Sequence, residues 1–207
     1  MVHVPTRERL AIVRDPRRGL PHWGDQDPLQ AAELVRRDVI GEGTCLPMVR
    51  FCGGSVIPVV AWDPQALDCR SRASTAPVLD RSVLADRLLP AGDPAEPAVL
   101  QMQAFITVHP LPRARSMLAS VCGFARAIGA VPRPPGASPW DVFEADYYGF
   151  TVTEVDASTT RTLVEGFPGP KHPLGGPSVQ RRLMQEQLFD VALRSGLLGL
   201  TGLRSSA

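Results

Sequence analysis

Residues 141–165, DVFEADYYGFTVTEVDASTTRTLVE, constrain the fold more than any other stretch, because aromatic, acidic and β-branched side chains crowd into one run. Phe143, Ala145 and Tyr147 alternate with Glu144, Asp146 and Tyr148, which is the period of a half-buried strand. The apolar series resumes at Phe150 and Val152, one residue out of phase. A β-bulge at Gly149 restores the facing, since one extra residue flips every side chain after it. With a turn at 156–158 leading into TRTLVE, the segment is expected to form two antiparallel strands.

Its neighbours extend the pattern. Leu100, Met102, Ala104, Ile106 and Val108 alternate with Gln101, Gln103, Phe105, Thr107 and His109, predicting a strand over 98–108 with one apolar face. Met117, Leu118, Val121, Ala125 and Ile128 share a helical stripe over 113–128, stopped by Gly129. Ser178 is expected to cap a helix to Arg194, with Val179, Leu183, Met184, Leu188, Val191 and Ala192 inward and Gly196 beyond its end. The order of this half is then β-α-β-β-α, a ferredoxin-like order that lacks its last strand.

The first half reads α-β-β-α. Asp27 and Pro28 start a helix that ends at Gly41. Residues 45–62 suggest a hairpin turning at Gly53–Gly54, with Phe51 opposite Val56 and Pro58 marking an edge strand. Residues 63–77 read as a loop, and Asp80 caps a short helix to Leu89. Trp23, in a Gly/Pro-flanked loop, is expected to fold back onto the core. The 21 prolines cluster between periodic segments and predict several ordered connections.

The fold class expected is α+β, an antiparallel or mixed sheet with helices mainly on one face. AGDPAEP at 91–97 is the candidate linker. It separates residues 1–90 from 98–207, unless both halves make one continuous domain.

Composition excludes several functions. A net charge of +1 supplies no general attraction for a polyanion, so nucleic-acid binding is left to local clusters such as Arg14, Arg17 and Arg18, or Arg113, Arg115 and Arg126. No apolar run reaches the ~18 residues that span a bilayer, and no signal-peptide pattern opens the chain. A cytoplasmic protein with reduced thiols is therefore expected. The four cysteines and four histidines show no zinc-ligand spacing, so neither a metal nor a cofactor is expected. G-x-S-x-G, G-x-G-x-x-G and P-loop motifs are absent.

Candidate sites come from the arrangement. If the apolar strand faces pack on helices, the opposite face presents Gln101, Gln103, Phe105, Glu144, Asp146 and Tyr148 as a ligand or partner surface. His109, Glu144, Asp146, Lys171 and His172 are the groups able to move protons on a small substrate. Lys171, Arg181 and Arg182 frame a helix start and could hold an anion. The leading expectation is a binding or protein-interaction module that engages a protein partner or itself. The alternative is an enzyme that uses these acid, His and Lys groups on a small molecule, anionic or not.

Overall fold

Between Leu100 and Val155 the chain alternates strand, helix, strand, helix, strand, and this alternation builds the centre of the sheet. The structure is a computed structural model and describes residues 9–18, 20, 23–88, 96–169 and 178–198. Among these, the strands are β1 (Ala11–Ile12), β2 (Thr44–Cys45), β3 (Val49–Phe51), β4 (Gly54–Trp62), β5 (Leu100–Thr107), β6 (Arg126–Pro132), β7 (Thr151–Val155) and β8 (Thr160–Val164). The helices are α1 (Pro28–Val35, continued by a π-helical turn, Arg36–Ile40), α2 (Pro64–Ala73), α3 (Arg81–Leu88), α4 (Leu111–Val121), α5 (Pro139–Tyr148) and α6 (Val179–Arg194).

The class is α+β with a mixed sheet, ordered β1-β3-β4-β5-β6-β7-β8, and β2 also pairs with β4. β5, β6 and β7 run parallel, and β8 returns antiparallel to β7. The chain divides into two compact units, one built from residues 11–60 and 102–169, the other mainly from 61–101 and 178–198.

The largest correction concerns residues 139–148, which form a helix rather than a strand. Ser138 Oγ accepts from Asp141 N at 3.1 Å and donates to the Asp141 carboxylate at 2.7 Å. Pro139 takes the first helical position, and Gly149, at φ +73°, ends the helix in a conformation that costs glycine nothing. No bulge stands at Gly149; the irregularity between β7 and β8 falls at Val152/Thr153. A second correction is β6, which occupies the end of the helix expected over 113–128. The half therefore runs β-α-β-α-β-β-α, not β-α-β-β-α. β6 is hidden from the periodicity for a physical reason. A parallel strand covered on both sides needs apolar residues at every position, so it loses the alternation that announces a strand.

In the unit of 11–60 and 102–169, helices stand on both faces of the sheet, where one face was expected. Ala31, Ala32 and Val35 of α1 pack with Ala104, Ile106, Val108, Ile128, Ala130 and Val155. Trp23 joins this core, and its Nε1 donates to Val108 O at 2.6 Å, so the indole is buried with its polar atom satisfied. On the opposite face Leu111, Ala114, Met117, Leu118 and Val121 of α4 are buried. Gly129 of β6 lets α4 settle there, because a Cβ would lie 2.2 Å from Leu111 Cδ2. Consecutive crossovers of one hand put α4 and α5 on the same side.

The β3–β4 hairpin turns at Cys52–Gly53, both at positive φ, and Val49, not Phe51, faces Val56. β4 is interior rather than an edge, with β3 and β2 on one side and β5 on the other. Residues 64–73, expected as loop, are α2, and Asp63 caps it through Gln65 N and Ala66 N. Asp27 and Asp80 cap α1 and α3 as expected. The linker at 91–97 lies largely outside the described residues.

The unit of 61–101 and 178–198 holds α2, α3 and α6 around buried charge. Arg70 donates to both Glu186 oxygens at 2.8 and 2.9 Å, and Glu186 also accepts from Val78 N at 3.0 Å. Arg182 pairs with Glu186 at 2.9 Å, Arg70 with Glu96 at 3.0 Å, and Arg70 lies over the Phe189 ring. Leu183, Met184, Leu188, Val191 and Ala192 are buried as expected and Val179 is half-buried, but Arg182, Glu186, Gln187, Phe189 and Asp190 are buried too, so burial is not confined to one stripe.

The thiols differ in reactivity. Cys45, on β2, lies near Glu33, and burial first, then that carboxylate, push its thiol up to about 12. Cys52, Cys69 and Cys122 are exposed. Iodoacetamide at pH 8 is expected to modify these three in the native protein and Cys45 only after denaturation. Peptide mapping by mass spectrometry reads this directly, and rapid native labelling of Cys45 would contradict its placement.

Candidate functional site

α5 is an unusual helix because its largest side chains face water. Positions 140, 143 and 147 share one helical face, and Trp140, Phe143 and Tyr147 there are 64%, 60% and 77% exposed. The inward face is thin: Ala145 is its one buried residue. Trp140 and Phe143 stack at 5.6 Å, Tyr147 meets Tyr148 edge-on at 5.2 Å, and Tyr148 stacks on the buried Phe150 at 5.7 Å.

Phe167 extends the surface. Its N donates to Gly149 O at 2.9 Å, and its ring lies over Gly149, so close that a Cβ there would sit 2.1 Å from Cδ2. Phe167 remains 71% exposed. At roughly 200 Å² per aromatic side chain, the five exposed rings present on the order of 600 Å². That is the upper end of what a monomer leaves uncovered.

Acids border this stripe. On a helix, residues two apart point to different sides. Glu144 and Asp146 therefore flank the aromatic stripe on opposite edges instead of sharing a face. Glu144 pairs with Arg115 of α4; Asp146 is exposed and Asp141 half-buried at the helix start. α5 carries three carboxylates and no basic residue. Between α4 and α5, Leu111, Leu118, Ala145 and Phe150 line a small crevice beside Arg115 and Glu144.

The other sequence candidates are dispersed. Gln101 is exposed, Gln103 half-buried, and Phe105 wholly buried with Thr107, because α4 covers the face that was expected to be wet. Thr151 and Thr153 are buried as well. Gln103 and Phe105 stand on β5, two strands from β7, against which α5 packs. Tyr148, Glu144 and Asp146 are together on α5. His109 follows β5 and lines a separate cleft. Arg182 is engaged by Glu186 and the Glu96 carbonyl, and burial lowers the pKa of both Arg181 and Arg182. Lys171 and His172 lie outside the described residues.

A strand period puts Tyr148, Glu144 and Asp146 on the outer face but turns Phe143 and Tyr147 into the core, and it gives Trp140 and Phe167 no role. The available signal was Ser138–Pro139 with Gly149 ten residues beyond Pro139, a helix start and stop that turns the aromatics outward. Among the described residues no helix is long and apolar enough to cross a membrane, and no His, Cys, Asp and Glu cluster could hold a metal.

The fold and this surface define an α+β chain with an exposed aromatic helix. No protein-family model, curated protein or solved structure matches it.

Proposed function

We propose that this chain is a protein-interaction module whose docking surface is the aromatic face of α5 together with Phe167. The observation that carries the reading is the uncovered stripe of Trp140, Phe143 and Tyr147. Leaving such rings in water forgoes about 1.5–3 kcal/mol each that burial would supply. A standard interface takes about 800 Å² from each partner, so the aromatic area supplies most of one side.

The partner is a protein segment that presents apolar side chains among arginines or lysines. Asp141, Glu144 and Asp146 make the rim acidic, and among the described residues only Glu144 has an ion-pair partner, Arg115. Cations also bind favourably over aromatic faces. A second copy docking through the same helix would set acids against acids, which opposes self-association.

The test uses a short amphipathic peptide bearing Leu and Arg on one face, and a twin with Glu in place of Arg. Calorimetry is expected to show binding of the first and none of the second. Trp140→Ala or Phe143→Ala should weaken it by about 2 kcal/mol each, the effect of a central aromatic anchor. Sedimentation run in parallel separates the alternatives. A stable dimer that Trp140→Ala dissociates would replace the basic partner with a second copy.

A further inference from the structure

A second site lies elsewhere in the same unit, at the end of β5. A cavity of about 540 Å³ opens there, lined by Arg14, Arg18, Arg50, His109 and Ser55, with Met48 among its apolar residues. Ligand pockets of folded proteins fall in this size range. His109 sets one wall just past the carboxyl end of β5, and residues on or beside the antiparallel strands β1, β3 and β4 supply the others.

The lining is held by strand pairing and a turn. Arg50 stands opposite Ser55 across the β3–β4 hairpin and opposite Ala11 of β1. Val13 N donates to Met48 O at 2.8 Å, which carries the chain alongside β3 to Arg14. Thr107 Oγ1 donates to Ser55 O and accepts from His109 N, both at 3.3 Å, fixing the backbone where β5 ends. Asp15 is occupied with its own turn: its Oδ1 accepts from Arg17 N at 3.1 Å, and its carbonyl from Arg18 N at 3.3 Å.

Three guanidinium groups thus share one cavity with one carboxylate. Among the described residues, no acid forms an ion pair with Arg14, Arg18 or Arg50, in contrast to Arg70, Arg115 or Arg182. The local charge is +2 before His109 is counted, against +1 for the entire chain. Guanidinium forks match phosphate oxygens bidentately. A phosphate monoester carries close to two negative charges at neutral pH. The apolar lining, Ile12, Val13, Pro16 and Met48, suits an organic group attached to it.

We infer that this cleft binds a small organic phosphate monoester through Arg14, Arg18 and Arg50, with Ser55 and His109 beside the phosphate. The inference is independent of the aromatic face, and neither Arg14 nor Arg50 belongs to α5 or its neighbours.

Phenyl phosphate is the probe, titrated calorimetrically at pH 8 and low salt, with phenyl sulfate, a monoanion of the same shape, as the control. Phenyl phosphate is expected to bind, and phenyl sulfate to bind at least tenfold more weakly. Arg50→Ala should lose about tenfold to a hundredfold in affinity, the effect of removing a charge-assisted fork. Arg14→Ala, outside any strand, serves if Arg50→Ala melts differently from the parent. Absence of phenyl phosphate binding, equal affinity for the sulfate, or undiminished affinity in the folded arginine variants would overturn the assignment.

Discussion

Glu186→Ala is expected to be the most damaging single substitution in the unit of 61–101 and 178–198. The Glu186 carboxylate takes both arms of Arg70, a nitrogen of Arg182 and the Val78 amide, and both Arg70 and Glu186 are all but removed from solvent. Removing it leaves two buried cations facing each other with only Glu96 nearby. Breaking a buried pair in this way costs about 3–5 kcal/mol, which for a protein of this size lowers the melting temperature by about 10 °C. Glu186→Gln keeps an acceptor for Val78 N and should lose less. Calorimetric or circular-dichroism melting checks both. A midpoint within about 2 °C of the parent for Glu186→Ala would show that water reaches these charges.

Gly166→Ala should follow closely, for steric reasons. A Cβ on Gly166 would lie 2.3 Å from Gly149 O, 2.4 Å from Phe150 C and 2.5 Å from Thr151 N. These are backbone atoms at the junction of α5 and β7 and cannot rotate away. Overpacking that shifts backbone costs typically 1–3 kcal/mol, and the upper end is expected here. Gly129→Ala is the internal comparison. Its Cβ meets the tip of Leu111, a side chain with other rotamers, so about 1 kcal/mol is expected. Urea unfolding of the two variants should rank them in this order. Gly166→Ala should also weaken peptide binding, because Phe167 is the next residue and its amide is anchored to Gly149 O. Equal stability of the two would mean that 149–151 yields easily.

Parts of this structure were legible in the residues because local chemistry and tertiary context agreed. Asp27–Pro28 and Asp80 started helices, Trp23 went to the core, and α6 buried the stripe its spacing marked. The α+β class followed from such elements. Residues 139–148 failed because Phe143, Ala145 and Tyr147 satisfy a two-residue period while 140, 143 and 147 satisfy a helical one. The assumption that aromatics face inward chose the wrong period. Capping chemistry at Ser138 and Gly149 held the right answer. β6 failed because Ala125 and Ile128 continued the stripe of α4, while Gly123, just beyond the end of α4, carried no weight. The cleft at His109 was out of reach in a different way. Arg14 and Arg18 were visible as a basic cluster, but Arg50 and Ser55 join them only through strand pairing.

The interleaved segments of the two units have a consequence for how the polypeptide is made. Every segment of the unit of 11–60 and 102–169 has been synthesised once residue 169 has emerged. α2 and α3 are made early, and Arg70 can meet Glu96 soon after, yet the bidentate partner Glu186 arrives only with α6, 116 positions later. Such distant closures are slow to form, and domains of a growing chain complete in the order their last segments appear. Translation therefore leaves α2 and α3 waiting, with a guanidinium to solvate and an apolar surface to shield, until the 179–194 segment arrives. The polar surface of α2 suits that interval. Its Asp63 cap and the Arg72–Asp68 pair are local, so the helix can form before anything packs against it.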